Sequence, residues 1–175
     1  KNLGAVFGQK FGWERPNFFA TDGIEQKDDW SFRRSKWFSA VEKECKNVKE
    51  NVGLLDMTAF AKCRIKGSKA ETFLDYLVAN KLPKKIGRIN LCHALNTKGG
   101  VHSEFTIMRE AEDSFYLVSA GAFQRLDHDW ILRWMPKDGS VQFENLTNSV
   151  GVLVVSGPKA RELMKRVSKD DFSNE

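Results

Sequence analysis

Apolar positions along the chain follow two periods, broken by short polar stretches. The segment "SKWFSAVEKECKNVKENVGLLD" (35–56) spaces Trp37, Val41, Cys45 and Val48 at helical intervals. That spacing predicts a helix ending near Asn51 to Gly53. "AKCRIKG" (61–67) alternates and predicts a strand. Ser68 with Glu71 reads as a capping box. Behind it Ala70, Phe73, Leu74, Leu77 and Val78 fall at i, i+3, i+4, i+7 and i+8, one apolar stripe of a helix. "INLCHALN" (89–96) and "GVHSEFTIMRE" (100–110) predict a hairpin around "TKGG", and "SFYLVSA" (114–120) a further strand. Phe123, Leu126, Trp130, Ile131 and Trp134 mark a second amphipathic helix, stopped by Pro136. "VQFENLT" (141–147) and "VGVLVVSG" (150–157) read as strands, the latter apolar on both faces and therefore expected to be central. "GPKARELMKRV" (157–167) opens a last helix with Pro158 in its first turn.

Residues 1–35 show little periodicity, with glycines and aromatics around one Arg-Pro. They read as an extended lead-in segment lying over a core. Helices and hairpins in one short chain argue for an α+β fold, with an antiparallel or mixed sheet covered by helices on one face.

Composition narrows the class. With 175 residues, 41% of them hydrophobic, the chain fits one globular domain or part of a larger one. The net charge of +5 suits an anionic partner, but lysines and acids are interspersed, as on an ordinary solvated surface. "LPKKIGR" (82–88) is the densest basic cluster and lacks the aromatics of a single-strand binder, so no nucleic-acid partner is expected. Cys45, Cys63 and Cys92 are far apart and form no CxxC; they read as free thiols in a reducing compartment. No apolar run approaches the roughly 18 residues of a membrane span, and no signal-peptide pattern is present, so no membrane partner is expected. A start without Met and a polar end after a helix read as an excised piece of something longer.

Little chemistry is visible. There is no GxGxxG after a strand, no Walker loop and no GxSxG. His93, His102 and His128 have no metal-ligand spacing, so no metal site is expected. His93 and His102 could approach across the hairpin as surface residues, and His128 reads as solvated. In the second hairpin strand, alternation sends Val101, Ser103, Phe105 and Ile107 to the core and His102, Glu104, Thr106 and Met108 to the other face. Glu104 is then either a plain solvent-facing residue or a functional acid that orients or deprotonates an amine.

Four segments in order, "VGLLDMTAFAKCRIKG" (52–67), "LNTKGGVHSEFTI" (95–107), "FYLVSAG" (115–121) and "GVLVVSGPKARELM" (151–164), resemble the glycine cleavage T-protein family of aminomethyltransferases. The opening "GAVFGQKFGWERPNFF" (4–19), with Trp37, Phe38 and Glu42, is similar to the C-terminal folate part of dimethylglycine and sarcosine dehydrogenases. The resemblance implies a partial GcvT-like folate-binding domain, with residues 36–175 its N-terminal part behind the lead-in at 1–35. It implies that a flavin-bearing part precedes this region and that the folate domain continues beyond residue 175. FAD would then belong to a separate upstream domain and not to this chain.

By the same resemblance, the acid after Gly-Gly contacts tetrahydrofolate near N10 and promotes one-carbon transfer from an N-methyl amine such as dimethylglycine or sarcosine. Glu104 holds that place. Glu for the family's Asp lengthens the arm by one methylene, so neighbours must reset its reach. Further folate positions fall on Phe60, Leu91, Met108, Ser119 and Ala120. Leu91 and Met108 stand where the family has tyrosines, and Ala120 where it has an asparagine; all five positions could also be core. The implied partners are folate and the remainder of the parent polypeptide, with a homodimer of the fragment left open. The implied compartment is the bacterial cytoplasm or the mitochondrial matrix, and turnover by the chain alone is expected to be weak or absent. A non-catalytic regulatory or binding module of the same fold remains a rival, as does a folate-dependent demethylase of another methyl donor.

Overall fold

The computed structural model describes residues 2–10, 12–21 and 23–173. In chain order the elements are β1 (Ala5–Lys10), β2 (Trp13–Phe19), α1 (Phe38–Glu50), β3 (Gly53–Asp56), β4 (Ala61–Lys66), α2 (Ala70–Leu77) and β5 (Ile89–Leu95). They continue with β6 (Val101–Ala111), β7 (Ser114–Ser119), a short 3-10 turn (Gly121–Phe123), α3 (Gln124–Trp134), β8 (Gln142–Asn145), β9 (Leu153–Ser156) and α4 (Ala160–Val167). The fold is α+β, and every strand pairing is antiparallel.

The chain divides into two compact units, Lys1–Asp56 with Leu153–Glu175, and Met57–Val152. In the first, β1 and β2 form a hairpin whose register shifts between Val6 and Phe7. The shift lies near Pro16, which has no N–H to give to a ladder. Helix α1 ends at Asn51, close to the expected stop, with the Asn51 N–H donating to the Asn47 carbonyl at 2.7 Å. The Val-rich β9 is not a central strand. Among the described residues it pairs with β3 alone, in a two-stranded sheet that leaves Leu54, Leu55, Leu153 and Val154 exposed. An apolar run signals a wish for burial on both faces, but pairing decides position, and β9 is one of two strands in its sheet.

The second unit holds a five-stranded sheet in the order β5-β6-β7-β4-β8. Alternation works as the pattern implies: Cys63 and Ile65, Cys92 and Ala94, Phe105 and Ile107, and Phe115 and Leu117 are all buried on one face. The α2 stripe of Ala70, Phe73, Leu74 and Leu77 packs onto this face with Ile131 of α3, forming one core. Helices therefore cover one face and leave the other for chemistry.

Two helix details differ from expectation. The capping box does not form: the N-cap of α2 is Lys69 with no side-chain cap bond. Glu71 instead accepts two bonds from the buried Arg109 guanidinium, at 3.1 and 2.8 Å. A buried cation needs a counter-charge more than a surface helix needs a cap. In α3 the buried positions are Asp127 and Ile131, while Leu126 and Trp134 are exposed, as is Phe123 in the preceding 3-10 turn. The helix turns Asp127 inward because Ser103 Oγ donates to Asp127 Oδ1 at 2.7 Å. His128 is half-buried, not solvated, and stands edge-on to Phe143 at 4.9 Å. No helix among the described residues is long and apolar enough to cross a membrane.

Candidate functional site

The site grows from the β5–β6 hairpin. Its turn is tied by Asn96, whose Oδ1 accepts the N–H groups of Lys98 at 2.9 Å and Gly100 at 3.1 Å. Gly99 sits at φ +80°, where only glycine is unstrained. The ladder then carries one extra residue: Leu95 pairs with Val101, but Ala94 pairs with Ser103. His102 is the bulged residue, and a bulge re-aims side chains. His102 therefore does not share the face of Glu104 or meet His93. Its ring lies 4.0 Å from that of Trp130 on α3, tilted 32°. Val101, assigned to the core by strict alternation, is exposed instead. His102 Nε2 is buried without a hydrogen-bond partner among the described residues.

Beyond the bulge the alternation holds. Glu104 stands on the sheet face away from the helices, directly opposite His93. Its side chain is 62% exposed, and its Oε2 lies 3.1 Å from His93 Nε2. Farther along this face Arg64 of β4 bonds Glu110 and Glu144. The guanidinium holds the Glu110 carboxyl below the usual carboxylate range, against the opposing pull of burial. Lys62, fully buried, donates Nζ to the Thr58 carbonyl at 2.6 Å.

A cleft of about 380 Å³ opens at the end of β6 and β7. Phe60, Ser119 and Ala120 line it together with Glu104, and His102 and Asp127 reach it from β6 and α3. Four of the six expected site residues thus meet at one cavity. Leu91 and Met108 share Glu104's sheet face but lie outside the cleft wall. The residues that sequence reasoning left out are His93, His102, Ser103 and Asp127. A register count back from the Gly-Gly turn would have paired Glu104 with His93 only with knowledge of the bulge. A larger concavity of about 890 Å³ in the first unit is lined by Phe18, Val48, Leu55 and Val154, among others, and holds none of the expected site residues.

The cleft combines apolar walls with a few polar groups. Phe60, Val118 and Phe123 give apolar walls, Glu104 gives a carboxylate, and His102 Nε2 gives a buried polar atom with no partner among the described residues. Among the described residues, no group of three or more His, Cys, Asp or Glu is placed to hold a metal ion.

Comparison with known proteins gives a consistent result. The family model described as "GCVT N-terminal domain" matches residues 1–175. The chain is 36% identical over 165 residues to mitochondrial dimethylglycine dehydrogenase of Homo sapiens, covering 94% of this chain and 19% of that protein. It is 32% identical over 170 residues to the mitochondrial pyruvate dehydrogenase phosphatase regulatory subunit of Mus musculus, with coverage of 94% and 19%. Among solved structures, the glycine cleavage system aminomethyltransferase T from Bartonella henselae superposes with a TM-score of 0.76 at 23% identity, over 94% of this chain and 40% of that one. The chain spans about a fifth of the length of the curated relatives it matches.

Proposed function

From the premise that the chain belongs to the GCVT N-terminal domain family, we propose that it is the tetrahydrofolate-binding part of a one-carbon transfer enzyme. The donor in this reading is an N-methyl amine such as dimethylglycine or sarcosine, and the product is methylene-tetrahydrofolate. One observation carries the proposal: Glu104 reaches the cleft shared by Phe60, Ser119 and Ala120 with its Oε1 free of partners among the described residues.

Tetrahydrofolate supplies the amine nitrogen that takes up the one-carbon unit. Phe60 holds its rings by apolar contact, and Glu104 orients the amine by accepting its N–H at Oε1. The same oxygen is placed to take the proton released when nitrogen gains carbon, so the carboxylate acts as general base. Its side chain is open to solvent on this face. Leu91 and Met108 offer apolar surface in place of hydroxyl groups. The flavin step that oxidises the amine is assigned to another domain of the parent protein, in the bacterial cytoplasm or the mitochondrial matrix.

Titration of tetrahydrofolate into this chain, followed by heat or tryptophan fluorescence, tests the reading. Glu104→Ala should weaken binding about tenfold, the cost of one hydrogen bond to a charged group. Unchanged binding would remove Glu104 from the site, and no binding by the wild-type chain or its full-length parent would sink the folate assignment. The relative named as a regulatory subunit favours a second reading, a binding module without transfer chemistry. Glu104→Gln in the full-length protein separates the two: transfer falls if the carboxylate is the base and survives if the module only binds.

A further inference from the structure

Glu104 has a long arm on an open sheet face, and His93 is the one described side chain that hydrogen-bonds to it. His93 is itself fixed. β5 is an edge strand, and its free edge is closed by residues 79–81. The Ala79 N–H donates to the His93 carbonyl at 2.9 Å, the His93 N–H donates to Asn80 Oδ1 at 2.9 Å, and Asn90 Nδ2 donates to the Lys81 carbonyl at 2.8 Å. Because both backbone groups of His93 point outward to this loop, its pairing with Glu104 is the non-hydrogen-bonded kind. In that kind of pair, facing side chains come closest.

The ring is bracketed. The backbone N–H of His93 turns the Asn80 oxygen, not its NH₂, toward the strand, and that oxygen lies 3.3 Å from Nδ1. On the other side Nε2 faces Glu104 Oε2 at 3.1 Å. Two acceptors meet two ring nitrogens. A neutral ring has one N–H and satisfies one of them, whereas a doubly protonated ring satisfies both.

We infer that His93, anchored by Asn80, is the positioning residue for Glu104: it donates Nε2–H to Oε2 and so turns Oε1 toward the cleft. The inference rests on the assignment of Glu104 to the folate site. It accounts for how an arm one methylene longer than aspartate is held in one orientation on an exposed face.

The test is tetrahydrofolate titration of the chain carrying His93→Ala, His93→Phe or His93→Gln, with Glu104→Ala alongside and circular dichroism to confirm folding. Phenylalanine keeps the ring's bulk without a donor; glutamine places an N–H near the position of Nε2 and gives up the ring. Positioning predicts that the Ala and Phe variants bind about three- to tenfold more weakly and that Gln stays within about twofold of wild type. A packing role predicts the reverse order, with Phe retained and Gln weakened, and would overturn the inference. The imidazole ¹⁵N spectrum adds a signature that packing does not move: the Nε2 resonance of His93 should shift in Glu104→Gln, and an unmoved resonance counts against the contact. If Glu104→Ala weakens binding and His93→Ala does not, the role of His93 alone falls. If Glu104→Ala has no effect, the Glu104 assignment falls and takes this inference with it.

Discussion

Cys63 lies beneath α2 and α3, and burial, with the Asp127 charge second, pushes its thiol up to about 12. Cys92 is buried too, while Cys45 is exposed on α1. The thiolate is the reactive form, so a disulfide-exchange reagent should label one thiol per folded chain, at Cys45, and three only in denaturant. Rapid labelling of Cys63 in the native protein would contradict its place in the core. At this scale the sequence was partly legible. The free state of the thiols could be proposed from the missing CxxC, and the face of Glu104 from alternation. The inward turn of Asp127 could not, because its partner Ser103 is 24 residues away in the chain.

Elements were more legible than single residues, since periodicity is local. The α2 stripe and the hairpin around Asn96–Gly100 stand where the spacing puts them. What failed were features that need a distant partner: the capping box, lost to Arg109, and the central place of β9, lost because among the described residues only β3 pairs with it. The 3-10 turn between β7 and α3 has a constraint of its own. A Cβ on Gly121 would collide with the Ala59 carbonyl oxygen, a backbone atom that cannot swing aside. Gly121→Ala should therefore cost about 2 kcal/mol in a denaturant melt. It should also weaken tetrahydrofolate binding, because Phe60 and Ala120 flank the collision. A substitution that leaves stability unchanged would mean the turn relaxes freely.

Across the whole molecule, several groups make stability fall with acid. His128 is lowered from its ordinary 6.5 by burial, so the unfolded chain takes up that proton first, and stability is lost as pH drops from about 6.5. Glu110 and Glu71 are lowered from 4.5 by Arg64 and Arg109, so their contribution is complete above about 4.5 and is lost as pH falls through their folded values. The melting temperature should decline in two stages. His128→Leu should remove the upper stage, and Arg64→Met should shrink the lower one while reducing stability at neutral pH. A flat profile between pH 7 and 4 would contradict the packing of His128 on Phe143. The amino-acid order by itself determined most of the element types between residues 35 and 167, the α+β class, the single helix-covered face and the strand that carries Glu104. Each follows from side-chain periods read over a few neighbouring residues; the β1–β2 hairpin, β3 and the 3-10 turn had no readable period. Only the tertiary structure decided the bulge at His102, the pairing of Glu104 with His93, the cleft shared with Phe60 and Ala120, and the exposed ribbon of β3 and β9. These depend on register and on partners far apart in the chain, and a one-residue slip there sends a side chain to the opposite face.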